Sequence, residues 1–259
     1  MKSHTRVIVI GGGIVGCSIL YHLAKMGWTD VMLLERSELT SGSTWHAAAN
    51  IHGLHDNTNI SKLQYYTMRL YDDLEKETGQ SCGVHRPGSI YLACTDDRWH
   101  QLRMQAAKAR YFGVDFHELS MSEVRDLNPL INLEGVIGAM FEADGGHVDP
   151  QGVTHAYAKG ARSRGAEIHR FTTVVETNAR PDGSWEVVTD KGTVIADYVV
   201  NAAGLWGREV AKLAGFDLPL MTMEHQYFVT DEIPELAALG REIPAVADRD
   251  MEYYMRQEG

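Results

Sequence analysis

The sequence predicts an α/β fold that begins with a buried parallel sheet flanked by helices. Residues 6–10 form a short apolar run rich in β-branched side chains, which is typical of a strand buried on both faces. A second apolar run follows at residues 31–34. Between the two runs, apolar residues at helical spacing indicate a helix that ends at Gly27. Strand, helix and strand in this order are the start of a parallel sheet.

A glycine pattern lies where the first strand meets this helix. It has the form G-x-G-x-x-G and places glycines at Gly11, Gly13 and Gly16. The first glycine permits a tight turn, the second lets a pyrophosphate approach the backbone, and the third lets the helix pack on the strand. Glu35, 19 residues after Gly16, is spaced to bind a ribose hydroxyl and disfavours a 2′-phosphate. We therefore predict a Rossmann-like unit for NAD or FAD, rather than a glycine-rich turn in an unrelated sheet protein.

The middle of the chain is predicted to form helices around short strands. The signals are apolar residues at helical spacing, glycines that end helices and polar residues that cap them. They predict, in chain order, a helix from Ile60 to Leu74 that Gly79 ends, a strand at 89–93, a helix capped by Asp97 and ended by Gly113, a capping box at Ser120 and Glu123, and a strand at 136–141.

After residue 148 the pattern returns to alternating helix and strand. Asp149 followed by Pro150 is a strong helix start, because an N-cap side chain precedes proline at the first helical position. The elements predicted next are the end of that helix near Gly165, strand structure from Glu167 to Val175, a hairpin with its turn at 190–192, and a separate buried strand at 198–201.

A distinctive segment follows Glu35. Residues 40–44 are small and polar, and two bulky side chains, Trp45 and His46, come directly after them. The segment Ser43–Ala48 resembles the flavin-attachment segment of the dimethylglycine and sarcosine dehydrogenase family, which belongs to the D-amino-acid-oxidase-like flavoproteins. This resemblance implies that the cofactor is FAD and that His46 is bonded covalently to the flavin. The alternative is an ordinary histidine that contacts the flavin without a bond.

The resemblance continues over nearly the whole chain, through residues 75–80, 86–90, 144–150, 201–206, 225–227 and 253–258. It implies a Rossmann-like FAD-binding domain with an inserted α+β substrate-binding subdomain. We expect residues 1–80 and 144–215 in the FAD-binding domain, and residues 81–143 and 216–259 in a substrate subdomain whose second part is truncated. The chain departs from the family at Ala49, where the family usually has glycine, a residue that tolerates a positive φ.

The resemblance also implies which residues contact the cofactor. Val174 matches a position where the backbone meets the adenine. Trp206 matches a position that contacts the flavin, although a plain core role is an equal alternative. The full predicted set is Gly11, Gly13, Ile14, Val15, Gly16, Glu35, Arg36, Gly42, Ser43, Thr44, Trp45, His46, Ala47, Ala48, Val174, Ala203, Gly204 and Trp206.

Two residues are the candidates for catalysis. By the resemblance, His225 and Tyr253 lie in the active site, where a histidine can accept the amine proton and a tyrosine hydroxyl can position the substrate. A simple strand-edge histidine and the neighbouring Tyr254 are the alternatives. The implied reaction is oxidation of a small N-methylated amino acid, of the sarcosine or dimethylglycine type, by hydride transfer to flavin N5. A D-amino-acid or glycine oxidase, or a catalytically silent FAD-binding fragment, remain alternatives.

Composition limits the partners. The net charge of −11 argues against a nucleic-acid surface, and no apolar stretch approaches the roughly 20 residues of a membrane span. Three scattered cysteines predict no disulfide framework, and the histidines lack metal-ligand spacing, so we predict no metal site. Cys17 is expected to be a packing residue rather than a reactive thiol. Because the first strand begins soon after Met1, we expect no signal peptide and a cytoplasmic protein.

Further partners follow only from the resemblance. They are an electron acceptor, either oxygen or an electron-transfer flavoprotein, and tetrahydrofolate only if a C-terminal region exists. The chain stops where the family continues through more strands, so we expect an N-terminal portion of a longer protein.

Overall fold

The computed structural model describes residues 1–258. Its strands are β1 (His4–Ile10), β2 (Val31–Leu34), β3 (Asn50–Ile51), β4 (Ser89–Ala93), β5 (Phe116–Leu119), β6 (Gly138–Glu142), β7 (Gly146–His147), β8 (Glu167–His169), β9 (Val174–Ala179), β10 (Trp185–Thr189), β11 (Gly192–Asn201), β12 (Ala245–Asp248) and β13 (Tyr253–Met255). Its helices are α1 (Ile14–Lys25), α2 (Thr58–Thr78), α3 (Asp96–Phe112), α4 (Met121–Leu127), α5 (Pro150–Arg162), α6 (Gly207–Leu213) and α7 (Pro234–Ala237), with short 3-10 helices at Ser43–His46 and Gly204–Trp206.

The chain folds into two compact units. The first unit contains residues 1–48, 72–83 and 149–225, and the second contains residues 49–71, 84–148 and the chain from Gln226 onward. The chain crosses between the units five times, once within α2, so neither unit is a continuous stretch of sequence.

The first unit is built on a six-stranded sheet in the order β8-β2-β1-β11-β10-β9. The strands β8, β2, β1 and β11 are parallel, while β10 and β9 are antiparallel additions at one side. The last four residues of β1 are all buried, as predicted, and alternate between the two faces. On one face Ile8 and Ile10 pack with Met32 and Leu34 of β2. The parallel strands β1 and β2 are joined by α1, which is the predicted dinucleotide-binding arrangement.

Helices α1 and α5 pack against each other in the first unit. The contact includes the rings of Tyr21 and Tyr157, whose centroids are 5.4 Å apart. Gly160 lies beside Tyr21, and a Cβ there would approach the ring to 2.8 Å. The start of α5 is as predicted, because the Asp149 side chain accepts a hydrogen bond from the Gln151 amide and proline opens the helix.

Two predicted strands of the first unit need correction. The stretch from Glu167 to Val175 is interrupted, because the chain turns between β8 and β9 and Phe171 adopts a φ of +53°. The hairpin strand and the strand predicted separately at 198–201 are one ten-residue strand, β11. Its length follows from pairing with two neighbours, β10 on one side and β1 on the other. Its second half is not buried as predicted, since Tyr198 is exposed.

The second unit contains a five-stranded sheet in the order β13-β12-β4-β6-β5. Buried side chains of β4 alternate between two apolar clusters. Ile90 and Leu92 pack with Val124 of α4 in one cluster, while Ala93 packs with residues of α3, including Leu102, in the other. The sheet is therefore covered by α3 on one face and by α4 on the other.

The second unit differs from the predictions in two elements. Strand β5 was not predicted, because its middle residues His117 and Glu118 are polar and exposed. The N-cap of α3 is Thr95 rather than Asp97, since the Thr95 hydroxyl accepts a hydrogen bond from the Arg98 amide and Asp97 lies inside the first turn. The predicted capping box of α4 is present in full.

The assignment of residues 49–71 also differs from the predicted boundaries. We expected these residues with the first unit, whereas the structure packs them in the second. Strand β3 pairs with β7, the Gly53 amide donates to the Glu142 carboxylate at 2.6 Å, and Leu54 joins the cluster under α3. These contacts join residues far apart in sequence, so no local pattern announces them.

No helix within residues 1–258 is both long enough and apolar enough to cross a membrane. The longest of these helices, α2, has 21 residues but is not apolar enough.

Candidate cofactor site

The turn after β1 brings three backbone segments too close together for side chains. Gly11 has a φ of +116°, and a Cβ there would lie 2.3 Å from the carbonyl oxygen of Ala202. A Cβ on Gly16 would lie 1.9 Å from the carbonyl oxygen of Gly11. Both glycines are therefore required by close approach, as the pattern predicts.

The N-terminus of α1 carries positive potential that no acidic side chain of its own neutralises. Gly13 is the N-cap and provides no capping side chain, and the first turn contains no acid. The Ile14 amide instead donates to the Thr44 hydroxyl at 3.0 Å. A helix start with amide donors and the positive dipole end is suited to a phosphate group.

Glu35 follows β2 and is held by backbone donors. Its carboxylate accepts hydrogen bonds from the Gly12 amide at 2.6 Å and from the Ser37 amide at 2.8 Å. These contacts hold the negative charge beside the glycine turn. A carboxylate in this place can accept a ribose hydroxyl, and it repels a 2′-phosphate.

The segment that resembles a flavin-attachment segment forms a short 3-10 helix at Ser43–His46. Thr44 is buried, whereas Trp45 and His46 are exposed. The Trp45 and His46 rings lie 3.8 Å apart at an interplanar angle of 38°. The segment therefore uses one residue to hold α1 and presents two aromatic rings outward.

Trp206 connects three parts of the first unit. The Arg36 guanidinium carbon lies 3.9 Å from the centre of the Trp206 ring, a cation–π contact. Gly42 lies against the same ring, and a Cβ there would be 3.3 Å from it. The side chain is half-buried, so it is not a plain core residue.

All eighteen residues predicted to contact the cofactor lie in the first unit. Among those not yet placed, Val174 begins β9, and Ala203 donates its amide to the Asn201 side chain at 3.2 Å. Gly204 adopts a φ of +58° and begins the 3-10 helix that ends in Trp206. Val15, in the first turn of α1, is exposed.

The two predicted catalytic residues lie in different units. His225 is the last residue of the first unit, in an exposed stretch without helix or strand, so it is not on a strand edge. Tyr253 begins β13 in the second unit. Burial, together with the nearby Asp248 carboxylate, raises the pKa of Tyr253. Tyr253 and Tyr254 are both exposed, so burial does not distinguish them.

Cys17 lies in α1 beside the glycine turn and is fully buried. Burial, reinforced by the Glu35 charge, raises the pKa of its thiol to about 12. The thiol is therefore protonated at neutral pH and acts as a packing residue, as predicted.

Two residues near the predicted cofactor segment adopt a positive φ. Thr40 is buried with a φ of +73°, an uncommon conformation for a β-branched residue, and its carbonyl accepts from the Trp45 amide. Ala49 has a φ of +54°. The sequence analysis had marked Ala49 through its departure from glycine, whereas it missed Thr40, whose conformation nothing in the sequence marks.

The second unit contains a buried acid that was also missed. Glu142 is fully buried and accepts hydrogen bonds from the Gly53 amide at 2.6 Å and the Tyr91 hydroxyl at 2.9 Å. Burial raises the pKa of Glu142 despite these donors. A single glutamate at the end of a strand gives no sequence signal for such a network.

The chemistry of the first unit fits a dinucleotide. The glycine turn brings the backbone close together without side chains, the α1 N-terminus supplies amide donors, and Glu35 supplies an acceptor for a ribose. Arg36 and Trp206 add an ordered aromatic surface beside Gly42.

Comparisons with known proteins agree with this geometry. The family profile described as "DAO: FAD dependent oxidoreductase" matches residues 6–259. Dimethylglycine dehydrogenase, mitochondrial, from Rattus norvegicus is 44% identical over 257 residues, which cover 99% of this chain and 30% of that protein. Sarcosine dehydrogenase, mitochondrial, from Mus musculus is 34% identical over 265 residues, covering 100% of this chain and 28% of that protein.

Solved structures share the fold. L-proline dehydrogenase from P. horikoshii superposes with a TM-score of 0.84 at 24% sequence identity, covering 100% of this chain and 68% of that one. At this identity the likeness establishes the fold alone. The present chain spans 30% or less of the two dehydrogenases named above.

Proposed function

Since this chain belongs to the FAD dependent oxidoreductase family, we propose that it forms the FAD-binding part of an enzyme that oxidises small N-methylated amino acids. The observation that carries the proposal is the assembly of all predicted cofactor residues in one unit, around an α1 helix whose first turn contains no acidic side chain. The names of two relatives, a dimethylglycine dehydrogenase and a sarcosine dehydrogenase, support the substrate class.

The residues of the first unit have distinct roles in this proposal. Gly11 makes the tight turn, Gly13 lets the pyrophosphate approach the backbone, and the amides of α1 donate to it. Glu35 accepts a ribose hydroxyl, and Val174 lies at the adenine. Bound FAD would supply a two-electron acceptor for the substrate C–H bond.

His46 is proposed as the covalent anchor of the flavin. Its exposed position in the 3-10 helix beside Trp45 leaves the ring accessible for such a bond. The test is acid precipitation of the protein, followed by measurement of flavin absorbance in the pellet. We expect flavin to remain with the wild-type protein and to be released from His46→Ala. Release from the wild type would overturn covalent attachment while leaving FAD binding intact.

His225 and Tyr253 are proposed to handle the amine proton and to position the substrate. The amine must be neutral to lose a hydride from the adjacent carbon, because protonation removes the nitrogen lone pair. A histidine accepts such a proton near neutral pH, and a tyrosine hydroxyl can hydrogen-bond to the substrate. Oxygen or an electron-transfer flavoprotein would then reoxidise the flavin. We assign no residue of this chain to tetrahydrofolate, and a cytoplasmic location stays a prediction.

Anaerobic photometry tests the reaction. Sarcosine or dimethylglycine should bleach the flavin absorbance, while glycine and D-alanine should not. Bleaching by glycine or D-alanine alone would favour an oxidase of the D-amino-acid or glycine type instead. The full-length protein should be measured beside this chain, because the chain spans only part of its relatives.

A second candidate is an FAD-binding module without catalysis of its own. It is favoured by the exposure of both His225 and Tyr253 to solvent. This candidate would be supported if this chain binds flavin but none of the four amines bleaches it, whereas the flavin of the full-length protein is bleached.

A further inference from the structure

Three side chains that can bind metal ions meet in the second unit, outside the proposed cofactor site. His85 and His147 form a two-way backbone bridge, in which each amide donates to the carbonyl of the other residue at 2.9 and 3.0 Å. Their rings stack with centroids 4.9 Å apart and planes within 4° of parallel. The backbone bridge places the two histidines opposite each other, and their imidazoles stack side by side.

Glu242 reaches both imidazoles through separate oxygens. Its Oε2 atom lies 3.1 Å from His85 Nδ1, and its Oε1 atom lies 3.3 Å from His147 Nε2. One candidate ligand atom from each of the three residues lies within 4.8 Å of the others. Ligand atoms on a tetrahedral zinc ion, each about 2.1 Å from the metal, would be about 3.4 Å apart. The observed spacings are compatible with that geometry after small movements.

We propose that His85, His147 and Glu242 form a binding site for a divalent transition-metal ion of the zinc class. Two imidazoles and one carboxylate make a common three-ligand set for zinc, and they leave a fourth position for solvent. The His85 side chain is half exposed, whereas that of His147 is almost completely buried, so the ion would enter from the His85 side. The prediction of no metal site rested on local spacing, which does not detect ligands brought together by folding.

The charged side chains around the three ligands have opposite effects on a bound cation. Arg256 lies near His147 and repels a cation, while Glu258 and Glu242 attract one. The alternative to metal binding is that Glu242 only accepts hydrogen bonds from the two rings.

A bound ion would join distant parts of the chain. His85 and His147 are already linked through the backbone, whereas Glu242 lies between α7 and β12. Within residues 1–258, His147 Nδ1 has no hydrogen-bond partner. The His147 ring makes its polar contact through Nε2, with Glu242. Zinc should therefore fix Glu242 and stabilise the second unit, because a ligand that binds only the folded state shifts the unfolding equilibrium.

Isothermal titration of the purified protein with zinc chloride tests the site. We expect one ion per chain, and at least about tenfold weaker binding in Glu242→Gln and His85→Ala. His117→Ala is the matched control, since His117 lies 2.7 Å from an Asp115 carboxylate oxygen without a second histidine. This control should bind zinc as the wild type does.

Thermal unfolding gives a second readout that does not depend on activity. Zinc should raise the unfolding temperature of the wild type and of His117→Ala, but not that of Glu242→Gln. Glu242→Gln preserves side-chain size at a partly exposed position, and circular dichroism will establish that it folds. Absence of one-to-one binding in the wild type, or unchanged affinity in both ligand variants, would overturn the proposal.

Discussion

The Thr44 hydroxyl accepts a hydrogen bond from the Ile14 amide at 3.0 Å, which ties the 3-10 helix of the candidate flavin-attachment segment to the first residue of α1. One side chain thus connects the two parts of the sequence most closely associated with the cofactor. Because Gly13 offers no capping side chain, Thr44 provides the cap that the helix lacks.

Removing this hydroxyl should destabilise the first unit. Thr44→Val keeps the shape of the side chain but leaves the Ile14 amide without its partner, which should lower the free energy of unfolding by about 1 kcal/mol. Urea denaturation of the flavin-free protein measures the change. Thr44→Ser keeps the hydroxyl and is the control, so it should lose less. Equal stability of Thr44→Val and the wild type would show that the contact contributes nothing.

Glu35 should contribute to cofactor affinity through its charge. Glu35→Gln weakens the acceptors for the ribose and for the Gly12 amide, and hydrogen bonds to charged groups contribute about 1.5–3 kcal/mol. We expect FAD to bind at least about tenfold more weakly. The measurement is a fluorescence titration in the His46→Ala background, so that a covalent bond does not conceal the affinity.

The control for this change is Glu38→Gln. Glu38 is an exposed acid paired with Arg170, three residues along the chain from Glu35. It should leave FAD affinity unchanged. If both variants weaken binding to the same extent, the effect belongs to the overall charge of the region and not to ribose recognition.

Patterns among residues close in sequence predicted much of the first unit. The features that were not predicted depend on contacts between residues far apart in sequence. The glycine pattern, the apolar strands and Glu35 identified β1, α1 and β2, because each of these is set by residues close in sequence. The link between Thr44 and Ile14 joins residues 30 apart. No spacing rule predicts such a contact.

The same limit applies in the second unit. The His85, His147 and Glu242 cluster depends on a backbone bridge between distant residues, which the sequence does not reveal. Strand β5 was missed because its exposed residues are polar. It belongs to the sheet through antiparallel pairing with β6, which is distant in sequence. A capping box, in contrast, lies within four consecutive residues, and the box at Ser120 and Glu123 was predicted correctly.

Replacing Ala49 with glycine should stabilise the folded protein. The Ala49 φ of +54° is strained for alanine, and relief of that strain outweighs the greater flexibility of glycine in the unfolded chain. We expect Ala49→Gly to raise the free energy of unfolding by about 0.5–1 kcal/mol. Ala47→Gly is the matched control, because Ala47 has an ordinary φ of −73° and should lose stability. A loss of stability in both variants would show that Ala49 is not strained.

Glu77 should make the stability of the first unit depend on pH. Burial opposes ionisation, but hydrogen bonds from Arg164 and the Tyr21 hydroxyl outweigh it and lower the pKa of Glu77. A carboxyl group with a lowered folded-state pKa stabilises the fold above its unfolded pKa, and this contribution disappears as the pH falls through the folded value. Glu77→Gln should therefore cost about 1 kcal/mol at pH 7, and the difference from the wild type should shrink with acidification.

Urea denaturation at a series of pH values measures this difference. Glu176→Gln is the control, because Glu176 is an exposed acid on β9. Among the contacts described for residues 1–258, Glu176 accepts from the Asn178 side chain and has no arginine partner. The control should show little change at any pH. A constant difference between Glu77→Gln and the wild type across the acidic range would mean that Glu77 acts through packing, because only an ionised carboxylate produces a contribution that acid removes.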